Sequence, residues 1–321
     1  MLKSASPLVS VIIPVHNRFD LADESVQSVI NQSYRPIELI IVDDFSNELY
    51  TPRVKSDLDF HVKTIRHKSN RGPGASRESG RKEARGDFIA YLDSDDLWHP
   101  YIISKQLSEF SRNPEAGMCY CTAIRITDFP PTGDEEYFMR SNNFYDSFFP
   151  IIFSGRPWGT GACLWRRSAS DQIGPWFSGW TWEDYDYDFR AGCLDIKICY
   201  VPEVLCYFRR NHGDYQLSRT DRKTQLMRKT SSIIHMYEYL KQTEKYVDRD
   251  IRQRFIRLVY YQAMKNFLKD LPEEGFKAIN IIREMDRGIA NLIAKIVLLV
   301  KPVFSSRLLG ALLYLNRRFI H

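Results

Sequence analysis

The stretch Leu8–Ser46, LVSVIIPVHNRFDLADESVQSVINQSYRPIELIIVDDFS, decides the fold. It holds one apolar run, Val9–Pro14, a helix-period segment, Asp20–Gln32, and a second apolar run, Ile37–Asp43. Runs that are apolar throughout, rather than alternating, belong to strands buried on both faces. A helix between two of them is the crossover that parallel strands require. Asp20 is the expected N-cap of that helix, with Asp23 and Glu24 favoured in its first turn by the helix dipole.

The same pattern continues outward. Val62–Arg66 and Phe88–Asp93 read as strands, and Gly74–Ala84 reads as a helix. Met118–Arg125, Ile196–Val201 and Val204–Arg209 are further strand candidates. Between them, DFPPTGDEEYFMRSNN (128–143) has the composition of a long surface loop, and Gly155–Trp165 returns through a glycine-rich loop to a short strand. From Arg222 the pattern is helical to the end. The expected organisation is an α/β unit over residues 1–220 and an α-helical region over 221–321, with no internal repeat.

Charge divides the chain in a similar way. Residues 1–204 carry 22 Lys/Arg against 29 Asp/Glu, whereas residues 205–321 carry 23 against 11. The acidic front half excludes a nucleic-acid surface there, and the basic back half points to an anionic partner. Arg287–His321 contains six Lys/Arg and no Asp/Glu, threaded through apolar runs that Lys295, Lys301 and Pro302 interrupt before the ~20 residues a spanning helix needs. Such a tail fits an element lying on an anionic membrane surface, or a helical hairpin packed on the catalytic unit. The first apolar run lacks a small-residue cleavage pattern, and the six cysteines show no CxxC pair. A cytoplasmic protein with reduced, mostly buried thiols is expected, peripheral at the inner face of the cytoplasmic membrane.

Each early strand ends in polar residues: His16-Asn17, Asp43-Asp44 and Asp93-Ser94-Asp95-Asp96. In a parallel α/β sheet the ligand crevice lies at those carboxyl ends. Adjacent carboxylates favour a divalent cation between them, although an acidic start to a helix over LWHPYIISKQL would also explain the last group. Asp44 could accept from the imide of a base and His16 could stack on it, or both could simply cap strand ends. SNRGPGASRESG (69–80) leads a glycine-rich loop into a helix bearing Arg77, a setting suited to a diphosphate. It matches neither GxGxxG nor GxxxxGK[ST]. WTWEDYDYDFRAG (180–192) presents Glu183 and Asp184 beside two tryptophans, a general base next to faces suited to sugar rings, or an acidic helix start with aromatic packing. His212 stands in a turn after the last strand candidate.

Taken together, VSVIIPVHNR, LIIVDDFS, NRGPGASRESG, FIAYLDSDDLWHP and WEDYDYDFRAG resemble the family 2 glycosyltransferases, inverting enzymes of GT-A fold, over residues 7–215. The resemblance implies a central mixed, mainly parallel sheet flanked by helices, followed here by a helical C-terminal region. It implies that Pro14, His16, Asn17 and Asp44 line the uridine site and that Arg77 lies near the diphosphate. Asp93, with Ser94, would contact the nucleotide-sugar, and Asp95 would hold Mn²⁺ or Mg²⁺, with His212 near it. Asp184 would be the base, and Trp182 and Glu183 would meet the acceptor. His16 stands where the family commonly has Tyr, and Phe45 where it has a small residue; both fall at the base pocket. The expected activity is metal-dependent hexosyl or N-acetylhexosaminyl transfer from a UDP-sugar to a glycan acceptor, lipid-linked in view of the basic tail. A metal-dependent nucleotidyltransferase or a non-catalytic nucleotide-sugar binding protein at the membrane are the alternatives.

Overall fold

The computed structural model describes residues 6–53, 61–133, 135–210, 220–286 and 288. It divides into two compact units, Met1–Tyr215 and Gln216–His321. His212 and, apart from Gly288, the basic tail from Arg287 onward lie outside the described residues.

The first unit runs β1 (Val9–Val15), α1 (Phe19–Ile30), β2 (Ile37–Asp43), β3 (His61–Arg66), α2 (Pro73–Glu83), β4 (Phe88–Tyr91), β5 (Leu97–Trp98), α3 (Ile102–Arg112), β6 (Ala116–Ile126), β7 (Cys163–Arg166), α4 (Arg167–Ile173), α5 (Glu183–Cys193) and β8 (Lys197–Arg209). The strands form one sheet in the order β3-β2-β1-β4-β7-β6-β8-β5. Strands β3, β2, β1 and β4 are parallel, with Val9 opposite both Ile37 and Phe88. β7 is antiparallel to β4 and β6, β6 and β8 are parallel, and β5 closes the edge antiparallel to β8. This is the mainly parallel sheet that the apolar runs predict, mixed as the resemblance implies.

Alternate residues of these strands fill two cores. Val9, Val11, Ile13 and Val15 pack on one face with Ala22, Val26 and Val29 of α1 and Ile102, Ile103 and Phe110 of α3. Ile12, Ile40, Val42, Ile89 and Tyr91 pack on the other with Ala169 and Ile173 of α4 and Tyr187 and Ala191 of α5. Burial on both faces is the reason the strands read as continuous apolar runs. All six cysteines are buried free thiols.

Three local expectations are corrected. Asp20 does not cap α1: the helix begins at Phe19, and the preceding Arg18 has φ 54° with no side-chain cap. The Asn17 N–H donates to Ser46 Oγ at 2.8 Å and Asn17 Oδ1 accepts from the Asn47 N–H at 2.9 Å, so the tip of β1 is tied to that of β2 and the helix entry follows that tie. The two strands expected at 196–201 and 204–209 are one, β8. Its register with β6 passes from Cys121↔Val201 to Thr122↔Val204, so Pro202 and Glu203 bulge out where a proline without an N–H does no harm to the ladder. Asp96 does not start a helix; β5 follows it, and α3 begins only at Ile102.

The second unit contains α6 (Arg222–Leu240), α7 (Arg249–Leu268) and α8 (Pro272–Met285). Asp221 caps α6 and Asp248 caps α7, each accepting two backbone N–H groups of the first turn. Buried Gln262 and Asn266 of α7 both donate to Thr230 Oγ1 of α6, which sets the register of the two helices. Among the described residues no helix is long and apolar enough to cross a membrane.

Candidate active site

Strand order reverses beside β1, between β2 and β4, so the crevice at the carboxyl ends of these three strands is where an open α/β sheet binds ligands. The tips found there are those singled out in the sequence. His16 donates from Nδ1 to the Asp44 carbonyl at 2.9 Å, which leaves Nε2 to accept from Asn70 Nδ2 at 3.1 Å. Its ring orientation is thereby set by the chain around it. Asn17, with φ 56°, follows it, and Pro14 lies two residues before it in β1.

Asp44 is buried, and internal donors use both of its oxygens. Oδ1 accepts from the Arg71 N–H at 2.9 Å and faces His67 Nδ1 at 2.7 Å, while Oδ2 accepts from the Gly72 N–H at 2.7 Å. The far side of His67 meets Ser79 Oγ at 2.8 Å. What Asp44 does in this structure is fasten the loop 70–72 to the tip of β2.

That loop is packed tightly on its other side. Gly72 has φ +84°, and a Cβ there would lie 3.0 Å from the Trp180 ring; one on Gly74 would lie 2.1 Å from the Phe177 carbonyl and 3.2 Å from Glu183 Cβ. Glycine lets the start of α2 approach the segment leading into α5, so the motifs NRGPGASRESG and WEDYDYDFRAG meet.

Asp93-Ser94-Asp95-Asp96 is a tight turn closed by the Asp96 N–H donating to the Asp93 carbonyl at 3.1 Å. Asp93 is about a third exposed (37%) and accepts from Arg77 Nη2 at 2.6 Å. Asp95 accepts from Arg18 Nη1 at 2.9 Å. Asp96 is buried and accepts the Arg209 N–H at 3.1 Å, so it anchors the turn to β8. Ser94 is also buried. Burial, and then the charges of Asp95 and Asp93, push the Asp96 carboxyl well above the usual carboxylate range. Asp93 and Asp95, each paired with an arginine here, still offer hard oxygen donors of the kind Mn²⁺ or Mg²⁺ takes. Among the described residues no three His, Cys, Asp or Glu side chains group to enclose a cation. A cation here would share one or two carboxylates with the phosphate oxygens of a ligand.

Arg77 of α2 joins this turn to the Glu-Asp element. Its buried guanidinium donates from Nη1 to Glu183 Oε1 at 2.8 Å as well as to Asp93, and lies 5.1 Å over the Trp176 ring. Burial works against the Arg77 cation, but the Asp93 and Glu183 carboxylates outweigh it and hold the charge firmly.

Glu183 and Asp184, the first residues of α5, sit in different surroundings. Burial, and then the neighbouring Asp184 charge, push Glu183 up to about 7 despite Arg77. Burial alone would raise Asp184 too, but Arg156, and behind it Arg77, hold it below the usual carboxylate range. The Asp184 side chain keeps 30% exposure against 9% for Glu183. Trp182, at φ 63°, stacks on Tyr185 with ring centroids 4.9 Å apart.

Sequence reasoning missed Arg156, Arg18 and His67. Arg156 ion-pairs with Asp184 and donates from Nε to Asp188 Oδ2 at 2.7 Å. It lies in a glycine and proline loop with no periodicity to mark it. Arg18 directly follows the His16-Asn17 tip and His67 the strand candidate Val62–Arg66, and that position is their one legible signal.

A mainly parallel sheet whose crevice lies at the carboxyl ends of β1, β2 and β4, acidic at β4 and joined by one arginine to a Glu-Asp helix start, places this protein in the ligand-binding α/β class. Residues 10–175, just over half of the chain, match the profile of Glycosyl transferase family 2, and the chain belongs to that family. Over 109 residues it is 38% identical to an uncharacterized glycosyltransferase of Haemophilus influenzae, covering 33% of this chain and 44% of that one. Over 106 residues it is 34% identical to the Escherichia coli UDP-Glc:alpha-D-GlcNAc-diphosphoundecaprenol beta-1,3-glucosyltransferase WfgD, covering 33% of this chain and 42% of that one. The chain thus spans less than half the length of these curated relatives. Among solved structures, Staphylococcus aureus TarS 1–349 in complex with UDP-GlcNAc superposes with a TM-score of 0.65 at 15% identity, over 86% of this chain and 80% of that one. The fold is GT-A-like.

Proposed function

We propose that this protein transfers a sugar, with inversion, from a UDP-sugar to a hydroxyl of a lipid-linked glycan in polysaccharide biosynthesis. One observation carries the reading: Arg77 bridges Asp93 and Glu183, so the acidic strand tip and the Glu-Asp helix start share one site. Donor and acceptor chemistry can then meet. The relatives support the coarser part, since WfgD is named for glucosyl transfer from UDP-Glc to a diphosphoundecaprenol-linked GlcNAc.

In this reading His16, Asn17 and Pro14 line the base pocket, and Asp44 shapes it through His16 and the loop 70–72. Asp93 and Ser94 meet the ribose side of the donor, and Arg77 lies beside the diphosphate. Mn²⁺ or Mg²⁺ held by Asp95 would offset charge on the departing diphosphate. Asp184 takes the proton of the acceptor hydroxyl as its oxygen bonds to the anomeric carbon. The bond from that carbon to the phosphate oxygen breaks, and its electron pair leaves with the nucleoside diphosphate. Of the paired carboxylates, the more exposed and more readily ionised is suited to be the base; two groups whose surroundings push their affinities for protons apart take different roles. Trp182 offers a ring face to the acceptor, next to Glu183. Residues 1–220 form the catalytic domain, and the basic region 221–321 associates with anionic lipid at the cytoplasmic face.

A panel of UDP-Glc, UDP-GlcNAc and GDP-Man, each with Mn²⁺, tests the donor class by protection against thermal unfolding. A UDP-sugar at 100 times its dissociation constant adds about 2.7 kcal/mol. Protection by GDP-Man alone, or by none of the three, contradicts the reading.

A further inference from the structure

We propose that Arg156 is a positioning residue for this transfer: by bridging Asp184 and Asp188, one turn apart on α5, it holds the Asp184 carboxylate in a single orientation. The inference rests on the reading that Asp184 is the base.

The geometry is that of a strut. Asp188 is the fixed end: it is 2% exposed, and its Oδ2 accepts from Trp158 Nε1 at 2.9 Å and Arg156 Nε at 2.7 Å. Residues i and i+4 face the same way on a helix, so one guanidinium fork reaches both carboxylates. Asp184 is the working end: Arg156 Nη1 binds Oδ2, Thr160 Oγ1 lies 3.4 Å from the same oxygen, and the Tyr185 N–H donates to Oδ1 at 2.7 Å.

The loop carrying the strut is itself braced on both sides of Arg156. Gly155 takes φ +100°; its carbonyl accepts from Arg140 Nη2 at 2.6 Å, and the Pro157 carbonyl accepts from the Arg140 N–H at 3.0 Å. A salt bridge serving only to neutralise buried Asp188 would need no second arm reaching a partly exposed carboxylate. The charged groups around Asp184 are Arg156 from the loop, Arg77 from α2, and Glu183 and Asp188 on its own helix. Of these Arg156 does most to keep it ionised.

The test is a carboxyl ¹³C NMR titration of Asp184, assigned with Asp184→Asn, in wild type, Arg156→Lys, Arg156→Gln and the double variant Arg156→Gln/Asp188→Asn. The double variant leaves no unpaired buried charge and so protects the fold. Turnover is read as UDP release from UDP-Glc or UDP-GlcNAc. Without the Arg156 cation the Asp184 midpoint should rise by at least one pH unit, in the single and the double variant alike, and kcat should fall at least tenfold with little change in KM. Lysine keeps a cation but cannot bridge both carboxylates, so it should restore the midpoint in part and kcat incompletely. An unchanged midpoint and kcat without Arg156, while Asp184→Asn is inactive, overturns this inference alone. Wild-type turnover in Asp184→Asn overturns the base reading beneath it.

Discussion

Arg77 donates to Asp93 at 2.6 Å from a guanidinium that is almost wholly buried, and the same group holds Glu183. Arg77→Ala therefore leaves one buried carboxylate and one about a third exposed without their cation. Losing one partner of a buried ion pair costs about 3–5 kcal/mol. Urea denaturation should show a loss in this range, and a variant as stable as wild type would contradict the bridging role.

Glu183 gives stability a pH dependence of predictable sign. Its folded carboxyl is pushed up to about 7 from an ordinary 4.5, by burial and then by the Asp184 charge. Between those values the folded state binds more protons than the unfolded state, so stability falls as pH rises through the window. Glu183→Gln, which mimics the protonated carboxyl, should gain stability relative to wild type from pH 5 to pH 8. Melting curves of the two proteins that run parallel over this range would refute it.

Gly74→Ala places a Cβ against the Phe177 carbonyl, 2.1 Å away, where backbone rather than a flexible side chain must yield. Overpacking of this kind costs about 1–3 kcal/mol. The expected result is a lower denaturation midpoint together with weaker UDP-sugar binding, because the loop 70–72 moves with it.

Much of this site is legible in the sequence, and its physical basis explains the part that is not. Strands β1, β2 and β4 are buried on both faces, so their runs and polar tips announce themselves, and the Trp-Glu-Asp start of α5 falls where expected. Pairings between distant segments carry no such signal. Arg156 meets Asp184 only because Gly155 and Pro157 turn its loop, and a glycine and proline loop has no period to read. Asp96 reads as a helix start in isolation, yet the Arg209 N–H of β8 binds it, and the chain enters β5 instead. Asp20 has the residue type of an N-cap, but ties between the strand tips set where α1 begins. In each case a tertiary contact overrides a local preference.

Asp95→Ala should separate metal from donor binding. If Asp95 shares a cation with the diphosphate, calorimetry of UDP-GlcNAc or UDP-Glc should lose its dependence on Mn²⁺, with any metal-free affinity kept. The same difference with and without Mn²⁺ in variant and wild type would exclude that role.

In the proposed transfer Asp184 takes the proton of the acceptor hydroxyl. The most direct test of that role is steady-state transfer by Asp184→Asn, with donor binding measured on the same protein. A positioned base is worth roughly 10²–10⁴ in rate, so turnover should fall by that factor while the donor dissociation constant stays within about twofold. Wild-type turnover in Asp184→Asn would contradict the claim.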